Sequence, residues 1–340
     1  MKFGPVPLDQ AEGRILGHNV AGPGGKRLLR KGRALDGDDI ESLRGLGRRT
    51  VYVAELEPGD VEENEAALRI AKAGLGPGLR LSGASTGRVN LIATVLGLFR
   101  FEGERLREIN AREGVTIASL ASHAVVRPGQ TVATVKVIPY AVPEHEVASA
   151  EEIAREGGPL FRVDVLVRRR VGLVLSGSPS MREQLEESFT PLVERMAALG
   201  SDVVERAYVT LEDEKGEEAL AETLRRQLAL PVELILLAGE TAIMDRHDIT
   251  PRAVERAGGR IVSVGAPVDP GNLLMLAYID DVPVLGAPGC ARSRKVNVVD
   301  WVLPRLLAGD RLSREDIVAL GAGGLLEDVP ERPLPRSRIG

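Results

Sequence analysis

The chain is 340 residues long, 44% apolar and 27% charged, with a net charge of −5 and 3% aromatic residues. That length exceeds one small core and suits two or three domains. The negative balance gives no reason to expect nucleic acid or an anionic membrane as partner, and so few rings argue against a platform for stacking single strands.

Cys290 is the single cysteine, which excludes an intrachain disulfide and a multi-cysteine metal site and fits a reducing compartment. The opening MKFGPVPLDQAEGRIL has no basic segment followed by an apolar h-region. The longest apolar runs, such as LILLAG and VGLVL, fall far short of a membrane span. A soluble cytoplasmic protein is expected.

In chain order, GRALDGDDIESLRGLG reads as a helix entered from a turn, then TVYVAEL as a strand and EENEAALRIAKAG as a second helix. Between Leu79 and Val142 short strands (LIATVLGLFRF, TIASL, QTVATVKVIPY) are broken by glycine and proline, which suggests a smaller mixed α/β or barrel-like region. Glu144 to Gly158 reads as a helical connector.

From about Arg170 the pattern changes to strand–helix alternation. VGLVL (171–175) is a buried strand, and TPLVERMAALG is a helix with Thr190 as its cap, followed by proline. DVVERAYV is a second strand and DEKGEEALAETLRRQLAL a helix with Leu220, Leu224 and Leu228 on one stripe. ELILLAG, TPRAVERAGG and RIVSVG follow as strand, helix and strand. NLLMLAYIDDVPVLGAPG reads as two strands turned at Asp280 and Asp281, and 292–307 as one long helix kinked near Pro304. Ser313 opens a last short helix, and the Pro/Arg-rich end is expected to fray. The expected division is 1–160 for the mixed region, 161–312 for a mostly parallel three-layer α/β/α domain, and 313–340 for a helix and tail.

Ligands of open parallel sheets bind in the crevice at the carboxyl ends of the strands. Three breaks should gather there: Ser176–Ser180, Ala238–Asp248 and Gly286–Ser293. Glycines let the backbone approach a ligand, hydroxyls of Ser176, Ser178, Ser180, Thr241 and Ser293 add hydrogen bonds, and Arg292, Arg294 and Lys295 add positive charge. A phosphate-bearing small molecule is the natural tenant. Each loop alone also has a plainer reading. Ser176-Gly177 is an ordinary turn, Asp245 and Asp248 complement the positive end of the following helix, and Cys290 is a small buried residue rather than a nucleophile.

The order of these elements resembles the molybdopterin-binding domain shared by molybdopterin molybdotransferases, molybdopterin adenylyltransferases and competence-damage-inducible proteins. Ser176-Gly177-Ser178 stands where that family has Thr-Gly-Asp, and Gly239-Glu240-Thr241-Ala242 where it has a Gly-Gly-x-Ser loop. Pro270-Gly271-Asn272 matches part of Pro-Gly-Lys-Pro, and Ala287-Pro288-Gly289-Cys290 part of Leu-Pro-Gly-Asn-Pro. The stretch PLDQAEGRIL over the first 60 residues resembles the molybdotransferase opening, while residues 61–160 match nothing assigned and too few follow Asp310 for that family's C-terminal barrel.

The resemblance implies binding of molybdopterin or its nucleotide form during molybdenum-cofactor biosynthesis. Ser176, Gly177, Ser178, Gly239, Glu240, Thr241, Pro270, Gly271, Pro288, Gly289, Cys290 and Ser293 would surround the cofactor. Asp245 and Asp248 would serve transferase-like chemistry and a Mg²⁺ ion, with molybdate as a further guest. It also implies a homodimer and a partner such as a nucleotidyltransferase. The acid and serine of the family pattern are replaced at Ser178 and Ala242, so binding survives these departures better than turnover does. A carrier without activity, or a nucleotide hydrolase on the same fold, are the alternatives. No Walker lysine loop or Gly-x-Gly-x-x-Gly stands at a strand–helix junction to favour the hydrolase.

Overall fold

The computed structural model describes residues 1–211 and 214–326. The chain divides into two compact units, Met1–Asp164 and the part from Val165 onward.

The first unit begins with β1 (Lys2–Pro7), β2 (Ile15–Leu16), β3 (Val20–Ala21), β4 (Arg27–Leu29), α1 (Gly37–Gly45) and β5 (Thr50–Glu55). β5 pairs antiparallel with β1 and β2, and α1 is held by a reciprocal capping box between Asp36 and Asp39. Leu16, Leu35, Leu43 and Val53 fill a small core of their own.

There follow β6 (Asp60–Glu62), α2 (Glu63–Ala73), β7 (Leu79–Leu81), β8 (Arg88–Ala93), β9 (Gly97–Phe101), α3 (Gly103–Asn110), β10 (Val115–Ser119), β11 (Val125–Val126), β12 (Thr131–Val137), β13 (Ala141–Pro143), α4 (Glu144–Arg155) and β14 (Phe161–Val165). β10, β12, β8 and β7 make an antiparallel sheet against which α2 packs. Ala66, Ala67 and Ala71 of α2 are fully buried, and their small side chains let α4 approach with Val147, Ala150 and Ala154. The expected connector is therefore a core helix. The glycine- and proline-broken strands also conceal α3, whose Ile109 is buried.

The second unit contains β15 (Arg170–Gly177), α5 (Arg182–Ser188), α6 (Thr190–Ala198), β16 (Asp202–Thr210), α7 (Glu214–Leu228), β17 (Leu234–Gly239), α8 (Ile249–Arg256), β18 (Arg260–Val264), β19 (Met275–Ile279), β20 (Val282–Gly286), α9 (Val299–Leu307) and α10 (Arg314–Ala319). Its six strands run in the order β16-β15-β17-β20-β19-β18. The first three pairings are parallel and the last two antiparallel, so the fold is the mixed, mostly parallel α/β sheet expected. β18 is the exception to the expected alternation, because the β19–β20 hairpin inserts between it and the parallel strands.

Val174, Leu237, Ala277 and Val284 face Leu220, Leu224 and Val254 of α7 and α8. The alternate residues Leu173, Leu175, Leu236 and Leu285 are buried too. On that opposite face α5 and α6 lie against β15 and β16, and Arg195 of α6 ties in α9 through Asp300. The N-cap position of α6 is Phe189, without a side-chain bond, so Thr190 is already helical. Ser313 does cap α10, which lies against β18 as part of this unit. The Pro/Arg-rich end beyond 326 lies outside the described residues. Among those described, no helix is long and apolar enough to cross a membrane.

Candidate functional site

Because β15, β17 and β20 are parallel neighbours, the loops after them leave one sheet edge. Ser176 stands opposite Gly239, and Leu237 opposite Gly286. The crowding there requires glycine: a Cβ on Gly239 would lie 2.8 Å from Ser176 Oγ, and one on Gly286 2.7 Å from Ile243 Cδ1.

The first two loops close on one another through Glu240. Its Oε2 accepts the Ser178 amide at 2.7 Å and the Ser178 hydroxyl at 2.9 Å, while its own amide donates to Ser176 O at 2.8 Å. The third loop joins through Arg292, whose Nη2 donates to Gly239 O at 2.7 Å and whose guanidinium lies 4.8 Å over the Phe189 ring. The Ser178 amide, then its hydroxyl, then the charge of Arg292 hold the Glu240 carboxyl below the usual glutamate range. Donors that suit an anion thus hold one that the protein itself supplies.

Little room remains. A cavity of about 10 Å³ lies among Ser176, Gly239, Thr241, Thr250 and Ala287, room for roughly one water molecule. Glu240, itself exposed, occupies the Ser178 amide and hydroxyl that a larger anion would need.

The expected acids have local work. Asp248 Oδ2 accepts the amides of Met244 at 2.6 Å and Asp245 at 3.0 Å, and Asp245 Oδ1 accepts that of His247 at 2.8 Å. Both carboxylates fold their own loop. Asp248 also precedes α8 without a side-chain cap bond to it. Among the described residues no group of three or more His, Cys, Asp or Glu is placed to hold a metal ion.

The loop before α9 departs from expectation. Pro288, Gly289 and Cys290 lead into a short 3-10 turn, and the α-helix begins only at Val299. Arg195 accounts for this. It donates to the carbonyls of Ala291, Ser293 and Lys295 and pairs with Asp300 at 2.9 Å, occupying acceptors that a continuous helix would use itself. Ser293, Arg294 and Lys295 are exposed in that loop, and Arg294 is drawn to Glu194 at 2.8 Å. Cys290 is half-buried, and burial pushes its thiol up. Pro270 and Gly271 meet the far end of the loop: Pro270 O accepts the Val298 amide at 3.2 Å, and a Cβ on Gly271 would lie 2.5 Å from the Val298 side chain. They brace the loop rather than join the Ser178–Glu240 contact.

Two contributors carry no sequence signal. Tyr208 donates its hydroxyl to Ser178 O at 2.6 Å, and it reads as an ordinary residue of an edge strand. Arg195 reads as an exposed helix residue although its side chain is only 11% exposed.

A family model described as domain of unknown function DUF8806 matches residues 5–55. No curated protein matches the chain. Among solved structures, a molybdenum cofactor biosynthesis protein from Pyrococcus furiosus is 12% identical over 94% of this chain, with a TM-score of 0.25. The chain spans 65% of that protein's length. The molybdopterin biosynthesis moea protein from Pyrococcus horikosii is 13% identical over 90% of this chain and 75% of its own, with a TM-score of 0.29. Molybdenum cofactor biosynthesis protein B is 16% identical over 43% of this chain and 89% of its own, with a TM-score of 0.26. Likeness this slight carries no argument about the site.

Proposed function

We propose that the second unit binds a phosphorylated pterin of the molybdopterin type, or its nucleotide form, in molybdenum-cofactor biosynthesis. One observation carries the reading: the Glu240 carboxylate accepts the Ser178 amide and hydroxyl, donors that suit a phosphate equally well, and Arg292 of the third loop adds its charge beside them while bonded to the Gly239 carbonyl. The motif resemblance over 170–310 supplies the identity of the guest. Ser178 and Arg292 would hold the phosphate end once Glu240 has turned out, and Thr241 would stand at its side.

A carrier that binds without turnover is the form of this reading best supported. Asp245 and Asp248 spend carboxylate oxygens on loop amides, and the family's acid is absent at Ser178. Handing the cofactor to a nucleotidyltransferase partner would suit such a carrier.

The test is anaerobic equilibrium binding of molybdopterin. Removing the competing carboxylate by Glu240→Ala should tighten binding several-fold. Arg292→Ala should weaken it by about tenfold or more, as expected for loss of a charge-assisted contact. No saturable binding by either the native protein or the Glu240→Ala variant would refute the reading.

A further inference from the structure

The first unit holds a cleft of about 1240 Å³ that the second unit's site does not use. This is ample for a ligand larger than a single sugar or amino acid. Its lining combines a fixed polar floor, exposed cations and an aromatic rim.

The floor is built around Glu63 and Lys136. Lys136 Nζ lies 3.5 Å from Glu63 Oε2 and donates to Thr86 O at 2.7 Å. Burial raises the Glu63 carboxyl, and the charges of Lys136 and Lys31 oppose that rise. Gly87 passes directly against the pair at a φ of 68°, where a Cβ would sit 2.6 Å from Glu63 Oε2. The Gly87 amide donates to Asn64 Oδ1 at 2.9 Å, which fixes that amide group beside the pair. A side-chain constellation held this closely is preorganised.

One wall is set by Tyr140, whose hydroxyl donates to Gly17 O at 2.9 Å. It holds the turn carrying His18 at the cleft. His18 forms an aromatic cluster with Phe3 and Tyr52, with ring centroids 5.5 to 6.0 Å apart. Phe3 and Tyr52 are 46% and 47% exposed in a chain with only 3% aromatic residues. Arg30 and Lys31 also line the cleft, and among the described residues neither has an acid within ion-pair distance.

We propose that this cleft binds a mononucleotide, with its base on the Phe3–His18 rim and its phosphates against Arg30 and Lys31. Exposed rings offer a face on which any base stacks. Two exposed cations outside ion-pair distance of an acid suit phosphate oxygens. Asn64 Nδ2 already donates to Glu62 at 2.9 Å, which leaves its second N–H and the remaining lone pairs of Glu63 for the base edge or ribose hydroxyls between these ends. The proposal does not depend on pterin binding in the second unit.

Calorimetric titration of the full chain with ATP, adenosine, inorganic triphosphate and a short single-stranded oligonucleotide tests it. ATP should bind saturably and adenosine more weakly. Arg30→Ala with Lys31→Ala should cost ATP about tenfold or more and leave adenosine unchanged. Phe3→Ala should weaken both by about tenfold, as loss of a stacking surface does. Arg292→Ala should leave all of these values unchanged, which separates this site from the other. Both cations are exposed, so their double variant remains informative even if Phe3→Ala fails to fold. Absence of ATP binding, equal binding of triphosphate alone, preferential binding of the oligonucleotide, or ATP affinity indifferent to the Arg30/Lys31 change would each overturn the proposal.

Discussion

Glu240 and Cys290 belong to loops at the same sheet edge, yet their environments push them in opposite senses. Glu240 receives an amide and a hydroxyl from Ser178 and feels Arg292, so its carboxyl is held below the usual glutamate range. Cys290 has burial as its largest influence, so its thiol stays neutral to higher pH than an exposed one. The 3-10 turn around it also denies it the start of a long helix that could stabilise a thiolate. Alkylation by iodoacetamide at pH 7 should therefore be many times slower than for an exposed thiol, and should accelerate only above the ordinary cysteine range near ~8.5. Mass spectrometry of timed samples checks this; labelling at pH 7 as fast as free cysteine would contradict it. Cys290→Ala should leave ligand affinity intact, because the contacts joining the loops come from Ser178, Glu240 and Arg292.

At the scale of elements, α10 is anchored by a carboxylate with many partners. Burial works against the charged form of Asp316, but the Ser313 amide and hydroxyl and the Arg305 guanidinium outweigh it and bring its pKa to about 2. Its folded value lies below the unfolded one, so its contribution is fully present above about pH 4 and is lost as pH falls through about 2. After discounting for partial exposure, that contribution is about 1 kcal/mol. Denaturant titrations at pH 5 and pH 2.5 should show Asp316→Asn less stable than the native chain at the higher pH, with the gap narrowing at the lower. A gap that does not change with pH would remove the linkage. This cap was legible as Ser313-Arg-Glu-Asp, as were the strands of the second unit, because local chemistry fixes both. The span 292–307 misled for the same reason. Val296, Val299, Leu303 and Leu306 have helical spacing, but Val296 is 58% exposed and a distant arginine fixes the backbone before Val299. The glycine and serine breaks that end β15 and β17 were legible as well. Glu240 in the Ser178 cradle was not, since that contact joins residues 62 positions apart.

For the whole molecule, the decisive feature is that each unit has its own apolar centre. One lies around Phe99, Ile70 and Val147 with a satellite at Leu16 and Leu43, and the other around Ile235, Leu224 and Val284. Both units fall in the size range of autonomous domains. The main sheet of each is completed internally: the six-stranded sheet takes all its strands from beyond Asp164, and β10, β12, β8 and β7 take theirs from before it, while β14 alone runs one residue past the division. Neither unit should need the other's residues to close its sheet. The chain from Val165 onward, produced alone, should unfold in one cooperative denaturant transition, and the chain Met1–Asp164 should do likewise. Because Asp316 lies in the second, acid sensitivity between about pH 4 and 2 from that carboxylate should travel with the fragment from Val165 and be absent from the other. Far-ultraviolet circular dichroism and amide hydrogen exchange on the two fragments would check this. A fragment from Val165 that keeps helical signal but lacks protected amides along β15 and β17 would show that its core is completed from outside, contrary to the expectation.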